Sequence, residues 1–128
     1  KSIVLGRKTY EIMKSVGEFK KIGNPFTVVL SKKSKSENGA FFVKSPKDAV
    51  KLLKEKGFEN ILVGGGGKLN SSFMKENLID EIILDVEPLI FGKGIKLFSE
   101  ESFEAKLELL EVRKISDNVV QLRYKVKR

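Results

Sequence analysis

Residues 64–67 are four consecutive glycines, and they form the part of this sequence best suited to contact an anion. They follow the apolar run Ile61-Leu62-Val63 and precede a helix-like segment over residues 69–78. Glycine lets a backbone approach a phosphate closely, and the first N–H groups of a helix point toward it. The pattern indicates a nucleotide or another phosphorylated ligand. A tight turn with close helix–sheet packing is the alternative explanation for the same glycines.

Two familiar glycine motifs do not fit this stretch. A P-loop needs Gly-x-x-x-x-Gly-Lys-[Ser/Thr], but counting back from Gly67-Lys68 places Leu62 at the first glycine and Leu69 after the lysine. The dinucleotide fingerprint Gly-x-Gly-x-x-Gly has Leu69 or Asn70 at its third glycine. The sequence therefore excludes a P-loop NTPase and a standard Rossmann site.

Two further segments with phosphate-binding side chains follow predicted strands. Gly6-Arg7-Lys8-Thr9 follows a short apolar run, and Ser31-Lys32 follows a β-branched run. Arginine offers a planar fork, lysine a point charge, and Thr9 and Ser31 offer hydroxyls. Ligands of open α/β sheets bind at the carboxyl ends of the strands, so three such loops on one edge would suit a dinucleotide with a 2′-phosphate. Surface charges and a helix-capping threonine remain the alternative for each loop alone.

The elements that must position these loops can be read from the hydrophobic pattern. A first helix is predicted after residues 6–9, with Tyr10, Ile12, Met13 and Val16 on one side. A second helix is predicted with Ser45 as its N-cap, Pro46 at its first position and Asp48 at N3, and it ends at Gly57. A third helix is predicted over residues 69–78. Residues 31–39 read as a polar loop. Strands are predicted at 3–5, 26–30, 40–43, 60–63, 82–86, 107–115 and 119–126, the last two as a hairpin around residues 116–118. This order predicts an α/β fold with a mostly parallel sheet flanked by helices and an antiparallel C-terminal hairpin.

Composition narrows the class of protein. The 128 residues, 41% of them hydrophobic, predict one domain with one core. Cysteine and histidine are both absent, which removes thiolate chemistry, the usual zinc ligands and the commonest general base, so no metal site is expected. The net charge of +8 favours anionic partners. No apolar run approaches 18 residues and no signal-peptide pattern is visible, so we expect a cytoplasmic protein that does not span a membrane.

These residues resemble a known family. Leu5-Gly6-Arg7-Lys8-Thr9-Tyr10-Glu11 is similar to the Met-Gly-Arg-x-Thr-Trp-Glu signature of dihydrofolate reductases, and Val28-Val29-Leu30-Ser31 is similar to their next cofactor-side strand. The second half more closely resembles the reductase domain of the bifunctional riboflavin-biosynthesis deaminase–reductase. The matching runs are Gly65-Gly66-Gly67-Lys68-Leu69-Asn70 and Pro88-Leu89-Ile90-Phe91-Gly92-Lys93-Gly94. The resemblance covers essentially the whole chain.

The resemblance implies a dihydrofolate reductase-like fold and an NADPH-dependent reductase. Its substrate would be a small heterocycle of the pterin or ribosylaminopyrimidinone type, to which a hydride is transferred. The resemblance implies three groups of residues that contact the cofactor. The phosphates and their surroundings would be contacted by Gly6, Arg7, Lys8 and Thr9, and the 2′-phosphate would lie beside Leu30, Ser31 and Lys32. The pyrophosphate and nicotinamide would lie near Gly64, Gly65, Gly66, Gly67, Lys68 and Leu69. A non-catalytic or truncated nucleotide-binding domain of the same fold is the alternative.

Departures from the family limit what the resemblance implies. The relatives begin with a strand, a loop over the nicotinamide and substrate-binding residues, all of which would precede Lys1. Gly64 stands where the riboflavin reductases usually have a glutamate. Asp85 is the one carboxylate we would place near the substrate, although a charge at a strand end explains it as well. No catalytic residue is assigned.

Two expectations concern partners. The apolar segment 88–98 and the C-terminal hairpin would expose much hydrophobic surface in a monomer, and relatives of the riboflavin reductase type are commonly dimers, so a homodimer is expected. Nucleic acid is not an expected partner, because neither a helix-turn-helix pattern nor a strand of interleaved aromatic and basic residues is visible.

Overall fold

The described residues form seven strands and four helices; the strands and three of the helices follow the predicted order, and the short helix Glu18–Lys21 is additional. The computed structural model describes residues 1–33, 36–37 and 39–128. The strands are β1 (Ser2–Gly6), β2 (Phe26–Leu30), β3 (Ala40–Val43), β4 (Leu62–Val63), β5 (Glu81–Val86), β6 (Leu107–Ser116) and β7 (Val119–Val126). The helices are α1 (Arg7–Ser15), α2 (Glu18–Lys21), α3 (Pro46–Glu55) and α4 (Gly67–Lys75). Ser34, Lys35 and Asn38, which belong to the predicted polar loop, lie outside the described residues.

The strands form two sheets. Sheet A is parallel throughout and has the order β3-β2-β1-β4, and sheet B is antiparallel and has the order β5-β7-β6. The predicted α/β class, with a parallel sheet and an antiparallel end, is confirmed. The division into two sheets is a feature that the sequence pattern did not reveal, and it leaves β4 and β5 each hydrogen-bonded to a single neighbouring strand.

Sheet A is covered on both faces, which explains its apolar strands. On one face α3 and α4 contribute Ala49, Leu53, Leu69 and Phe73 to a buried cluster with alternate residues of β1 and β2. On the other face Tyr10 of α1 packs with a second cluster, which includes Leu5 and Val29. Helices on both faces are the usual cover of a parallel sheet.

Helix α1 departs from its predicted packing. Tyr10 is buried and Met13 packs against the second cluster, but Ile12 is 63% exposed and Val16 is 59% exposed. The four side chains that were predicted on one side of the helix therefore differ in burial, since only Tyr10 and Met13 belong to or pack against the core cluster. The helix is only nine residues long and is followed at once by Gly17, which has a φ of 69°, and by the short helix α2. Of α2, only Phe19 is among the residues packed against this cluster.

The start of α3 forms as the sequence predicts. The Ser45 hydroxyl accepts a hydrogen bond of 3.1 Å from the Asp48 N–H, and Pro46 occupies the first helical position. Gly57 follows the helix with a φ of 89°, a conformation that glycine adopts without strain. The cap and Asp48 together satisfy the positive end of this helix within the chain.

Replacing Ser45 by alanine is expected to lower the free energy of unfolding by about 1 kcal/mol, because a helix N–H loses its acceptor. Urea unfolding followed by circular dichroism measures the change. Ser45→Asp is the matched variant, since aspartate also caps helices, and it should retain most of the stability. An alanine variant as stable as the parent would contradict the capping role.

Membrane insertion through a helix finds no support in the described part of the chain, where every helix is too short or too polar to cross a bilayer.

Candidate functional site

The three loops predicted to carry ligand chemistry meet at one edge of sheet A. The Gly6 N–H donates a hydrogen bond of 2.8 Å to the Gly65 carbonyl, which joins the first loop to the glycine run. In the parallel register of β1 and β2, Gly6 lies beside Leu30, so Ser31 and Lys32 follow next to the first loop. Parallel strands end at a common edge, and that geometry brings these distant segments of the sequence together.

Two helices begin at this edge without side-chain caps. Helix α1 starts after Gly6 and α4 starts after Gly66, and neither glycine supplies a side-chain acceptor to the first turn. Neither first turn contains an acidic residue. In α3, by contrast, Ser45 supplies the side-chain cap and Asp48 is the acidic residue of the first turn. The free N–H groups and positive helix ends of α1 and α4 therefore remain available to an external anion.

Basic side chains surround the two helix starts. Arg7, Lys8, Lys32 and Lys68 are all exposed. Within the described part of the chain none of the four forms an ion pair; the pairs there involve other lysines and arginines. Their charges are therefore available to a phosphorylated ligand, and Arg7 offers in addition the forked donor pattern that matches phosphate oxygens.

The residues of the site differ in what they can offer. The Thr9 hydroxyl lies 3.4 Å from where a Cβ atom at position 66 would be, so the first loop and the glycine run are in close contact. Ser31 uses its hydroxyl to accept a hydrogen bond of 3.2 Å from the Lys33 N–H. Leu30 is half-buried and packs against the core, and Leu69 is buried within it. Leu69 can therefore approach a ligand only with its backbone, whereas Leu30 keeps part of its side chain exposed.

The glycine run contains two glycines whose surroundings explain them without a ligand. A Cβ atom at position 64 would lie 2.8 Å from the buried Leu5 side chain, and the Gly64 N–H is already bonded to the Val4 carbonyl at 2.8 Å. At position 67 a Cβ atom would lie 2.9 Å from the Lys96 carbonyl oxygen. Close packing therefore explains Gly64 and Gly67, and anion binding remains an explanation for the rest of the run. Gly66, which precedes α4, is the glycine that best fits anion binding.

Asp85 lies in the other sheet. It occupies β5, where its carboxylate accepts a hydrogen bond of 2.9 Å from the Gln121 amide, which itself accepts one of 3.1 Å from Arg113. The carboxylate is exposed and engaged in a polar network on sheet B, which agrees with the strand-charge alternative. Its assignment to substrate binding stays a prediction.

Acid–base chemistry has few candidates near the three loops. Burial raises the pKa of the Tyr10 hydroxyl, and the neighbouring Lys14 opposes this shift. Tyr10 therefore stays protonated at neutral pH and is not a general base there. Its ring is fixed between Phe19 and Phe42, which suits a packing role.

Sequence reasoning missed one feature beside the site. The end of segment 88–98 is held against the first turns of α4: the Asn70 amide donates to the Leu97 carbonyl at 2.8 Å, and the Ser71 hydroxyl donates to the Ser99 carbonyl at 2.8 Å. The Ser99 N–H donates to the Gly67 carbonyl at 3.1 Å. The sequence did contain one signal for this attachment, namely the adjacent polar residues Asn70 and Ser71 at the start of an otherwise packed helix.

Comparison with known proteins agrees with this arrangement. Residues 2–121 match the RibD C-terminal domain family. The Bacillus subtilis protein YwjB, which is uncharacterised, is 33% identical over 126 residues, covering 96% of this chain and 72% of YwjB.

Solved structures show the same fold. A putative riboflavin biosynthesis protein from Shewanella sp. PV-4 superposes with a TM-score of 0.83 at 27% identity, covering 99% of this chain and 74% of that one. A pyrimidine reductase-like protein from Corynebacterium diphtheriae superposes with a TM-score of 0.73 at 17% identity, covering 99% and 76%. The predicted dihydrofolate reductase-like, RibD-type fold is confirmed, and this chain belongs to the RibD C-terminal domain family.

Proposed function

We propose that this chain is an NADPH-dependent reductase domain that transfers a hydride to a small heterocycle of the pterin or ribosylaminopyrimidinone type. The observation that carries the proposal is the meeting of two uncapped, acid-free helix starts at one edge of sheet A, among basic side chains that form no ion pair with any described residue. Membership of a family of oxidoreductase domains supports it. The cytoplasmic location expected from the sequence is part of the same proposal.

Different residues at this edge of sheet A would contact different parts of such a cofactor. The first N–H groups of α1 and α4 would hold the pyrophosphate, with Arg7 and Lys68 adding charge-assisted hydrogen bonds. Lys32, which follows β2, would pair with the 2′-phosphate that distinguishes NADPH from NADH. A bound NADPH would supply the hydride, and the chain's own contribution would be to fix its orientation and keep water out.

A titration with NADPH and, separately, NADH tests the cofactor assignment through the fluorescence of the reduced nicotinamide. We expect tighter binding of NADPH. Lys32→Glu should weaken NADPH binding by about tenfold or more, because two unit charges about 4 Å apart interact by about 1 kcal/mol in water and by about 4 kcal/mol near a protein surface; it should leave NADH binding unchanged. Lys51→Glu on the exposed side of α3 is the charge-matched control and should affect neither cofactor. Equal affinities for the two cofactors, or equal effects of the two variants, would refute the role of Lys32.

The alternative function is a domain of the same fold that binds the nucleotide without turnover. Two observations favour keeping this alternative in the test: Asp85 is hydrogen-bonded within sheet B, and no catalytic residue is assigned. Absorbance of reduced nicotinamide, followed with pterin and pyrimidinone substrates, separates the two. Oxidation of NADPH supports the reductase, whereas affinity without oxidation supports the alternative.

A further inference from the structure

Residues 96–99 lie directly against the first turn of helix α4. A Cβ atom at position 67 would come within 2.9 Å of the Lys96 carbonyl oxygen and within 3.2 Å of the Ser99 nitrogen. Both of these atoms belong to backbone, which cannot swing aside as the end of a side chain can. Glycine at position 67 is therefore what allows the two backbones to approach this closely. We call residues 96–99 the docked segment.

Hydrogen bonds in both directions fasten the docked segment to α4. The Asn70 amide donates to the Leu97 carbonyl at 2.8 Å, and the Ser71 hydroxyl, which is buried, donates to the Ser99 carbonyl at 2.8 Å. In return the Ser99 N–H donates to the Gly67 carbonyl at 3.1 Å. The Ser99 hydroxyl lies 3.3 Å from both the Gly67 carbonyl oxygen and the Ser71 hydroxyl, to either of which it can donate.

The Gly67 carbonyl shares a planar peptide group with the Lys68 N–H. Gly67 is the first residue of α4, so the Lys68 N–H is one of the N–H groups that have no acceptor inside the helix. Bonds to the carbonyl fix the plane of this peptide group and so the direction of its N–H. They also polarise the group, which makes the N–H a stronger donor. Ser99 therefore acts through one peptide group on an N–H at the start of α4.

The polar side chains near this helix start are used differently from those of α3. In α3 the Ser45 hydroxyl accepts a hydrogen bond from an N–H group of the first turn. In α4 the Asn70 amide and the Ser71 hydroxyl instead donate to carbonyl groups of the docked segment. The attachment thus holds the turn of α4 in place while it leaves the N–H groups of that turn without a side-chain cap.

The rest of the connection from β5 contributes little to placing the docked segment. Between residues 88 and 95, Ile90 is 99% exposed and Ile95 is 98% exposed, so they pack against almost nothing in the described chain. Beyond the docked segment, Lys75 and Glu101 form an ion pair of 3.1 Å between exposed side chains, and such pairs stabilise weakly. The position of the docked segment therefore depends mainly on its hydrogen bonds to α4.

We infer that Ser99, together with Ser71 and Asn70, is a positioning residue for the cofactor: the docked segment orients the Gly67–Lys68 peptide group toward the pyrophosphate. This inference rests on the proposed function and deepens it, because it adds to the site a serine that lies 32 residues after Gly67. Coupling between two binding events is reciprocal. Binding of the pyrophosphate to α4 should therefore also hold the docked segment more firmly.

Affinities of the parent chain and of Ser99→Ala for NADPH and NADH test the inference. The variant loses the hydroxyl bond and keeps the N–H bond to Gly67. Both dinucleotides should bind about threefold to tenfold more weakly, the effect of one net hydrogen bond. The factor should be the same for both, because both contain the pyrophosphate, whereas Lys32→Glu should affect NADPH alone. Ser99→Thr retains a hydroxyl and should restore the affinity.

Two further variants separate positioning from a general effect on the helix. Asn70→Ala removes an exposed hydrogen bond to the docked segment and should weaken both dinucleotides in the same range. Ser72→Ala is the matched control, because the Ser72 hydroxyl donates within α4, to the Leu69 carbonyl at 2.8 Å. It should leave both affinities unchanged. Hydrogen exchange gives a second measurement: NADPH should slow exchange in residues 96–99 of the parent chain, and less so in Ser99→Ala.

The outcomes distinguish this inference from the cofactor assignment. A parent chain that binds NADPH, with affinity unchanged in Ser99→Ala and Asn70→Ala, overturns the inference and leaves the assignment intact. An equal loss in Ser72→Ala and Ser99→Ala also overturns it. A parent chain that binds inorganic pyrophosphate but neither dinucleotide refutes the assignment; the inference then stands if Ser99→Ala weakens pyrophosphate binding and falls if it does not. A parent chain that binds none of the three overturns both.

Discussion

Replacing Phe73 by alanine is expected to lower the free energy of unfolding by about 3–5 kcal/mol, the range found for large-to-small changes in packed cores. Phe73 is 1% exposed and belongs to the cluster that joins α4 to β1, β2 and α3. Its removal leaves a cavity bordered by Val4, Val28 and Leu53, three residues with no exposed surface. Val4 and Val28 are held by the hydrogen-bonded strands β1 and β2, and Leu53 is held by helix α3, so these neighbours cannot collapse far into the space.

Urea unfolding at a fixed protein concentration measures the change, since association would otherwise alter apparent stability. Phe91→Ala is the matched control, because the same side chain is removed from a position that is 76% exposed. Its effect on unfolding of a single chain should stay within about 0.5 kcal/mol. A loss below about 1 kcal/mol for Phe73→Ala would show that this cluster does not anchor α4. Typical domains are stable by about 5–15 kcal/mol, so the expected loss is a large share of the total.

Replacing Gly64 by alanine is expected to lower the free energy of unfolding by about 1–3 kcal/mol, as overpacking of a core does. The new Cβ atom would lie 2.8 Å from Cδ2 of Leu5 and 3.0 Å from Cδ1 of Ile3. Leu5 has no exposed surface and Ile3 is 5% exposed, so neither side chain has free space into which it can move. Thermal or urea unfolding measures the loss.

Two further variants identify overpacking as the cause. Gly92→Ala places a methyl group where no other atom lies within 4 Å, and it should leave stability unchanged or raise it by about 0.4–1 kcal/mol through the unfolded chain. Gly64→Ala combined with Leu5→Val should cost less than the sum of the two single changes, since the smaller side chain relieves the contact. Strict additivity would contradict the packing explanation.

The same contact bears on the resemblance to the riboflavin reductases. Those enzymes usually have a glutamate where this chain has Gly64. Because Leu5 and Ile3 occupy the space into which any side chain at position 64 would begin, glycine here is part of the packing of β1 against β4. A glutamate at position 64 would require the ends of the Leu5 and Ile3 side chains to move, or smaller residues in their place.

Local signals in the sequence predicted most of the elements. Ser45, Pro46 and Gly57 marked the limits of α3, and the cap and the turn both form as expected. Helix α2 was missed, because four residues after Gly17 contain no period from which a helix could be predicted. The division into two sheets also could not be predicted, since a strand's free edge depends on partners far away in the sequence.

The sequence predicted the three loops of the candidate site and their meeting at one edge of the parallel sheet. It did not predict that segment 88–98 lies beside them. Strand ends of a parallel sheet share an edge, which is why Gly6 and Gly65 could be expected to come together, and their hydrogen bond shows that they do. The attachment of segment 88–98 to α4 rests on side chains of Asn70 and Ser71 that reach backbone groups more than 25 residues away. The two adjacent polar residues indicate that this part of the helix has polar partners, but they do not identify the segment that supplies them.

The two sheets also differ in how soon they can form. Strands β6 and β7 are joined by two residues, Asp117 and Asn118, so their hairpin can close within microseconds. Strand β1 instead pairs with the strands that begin at Phe26 and Leu62, which are distant in the sequence, and closing such long loops is slow. The hairpin follows sheet A in the sequence, so the ribosome makes this fast-closing element after the strands of sheet A. Refolding from denaturant and folding during synthesis should therefore proceed through different early structures.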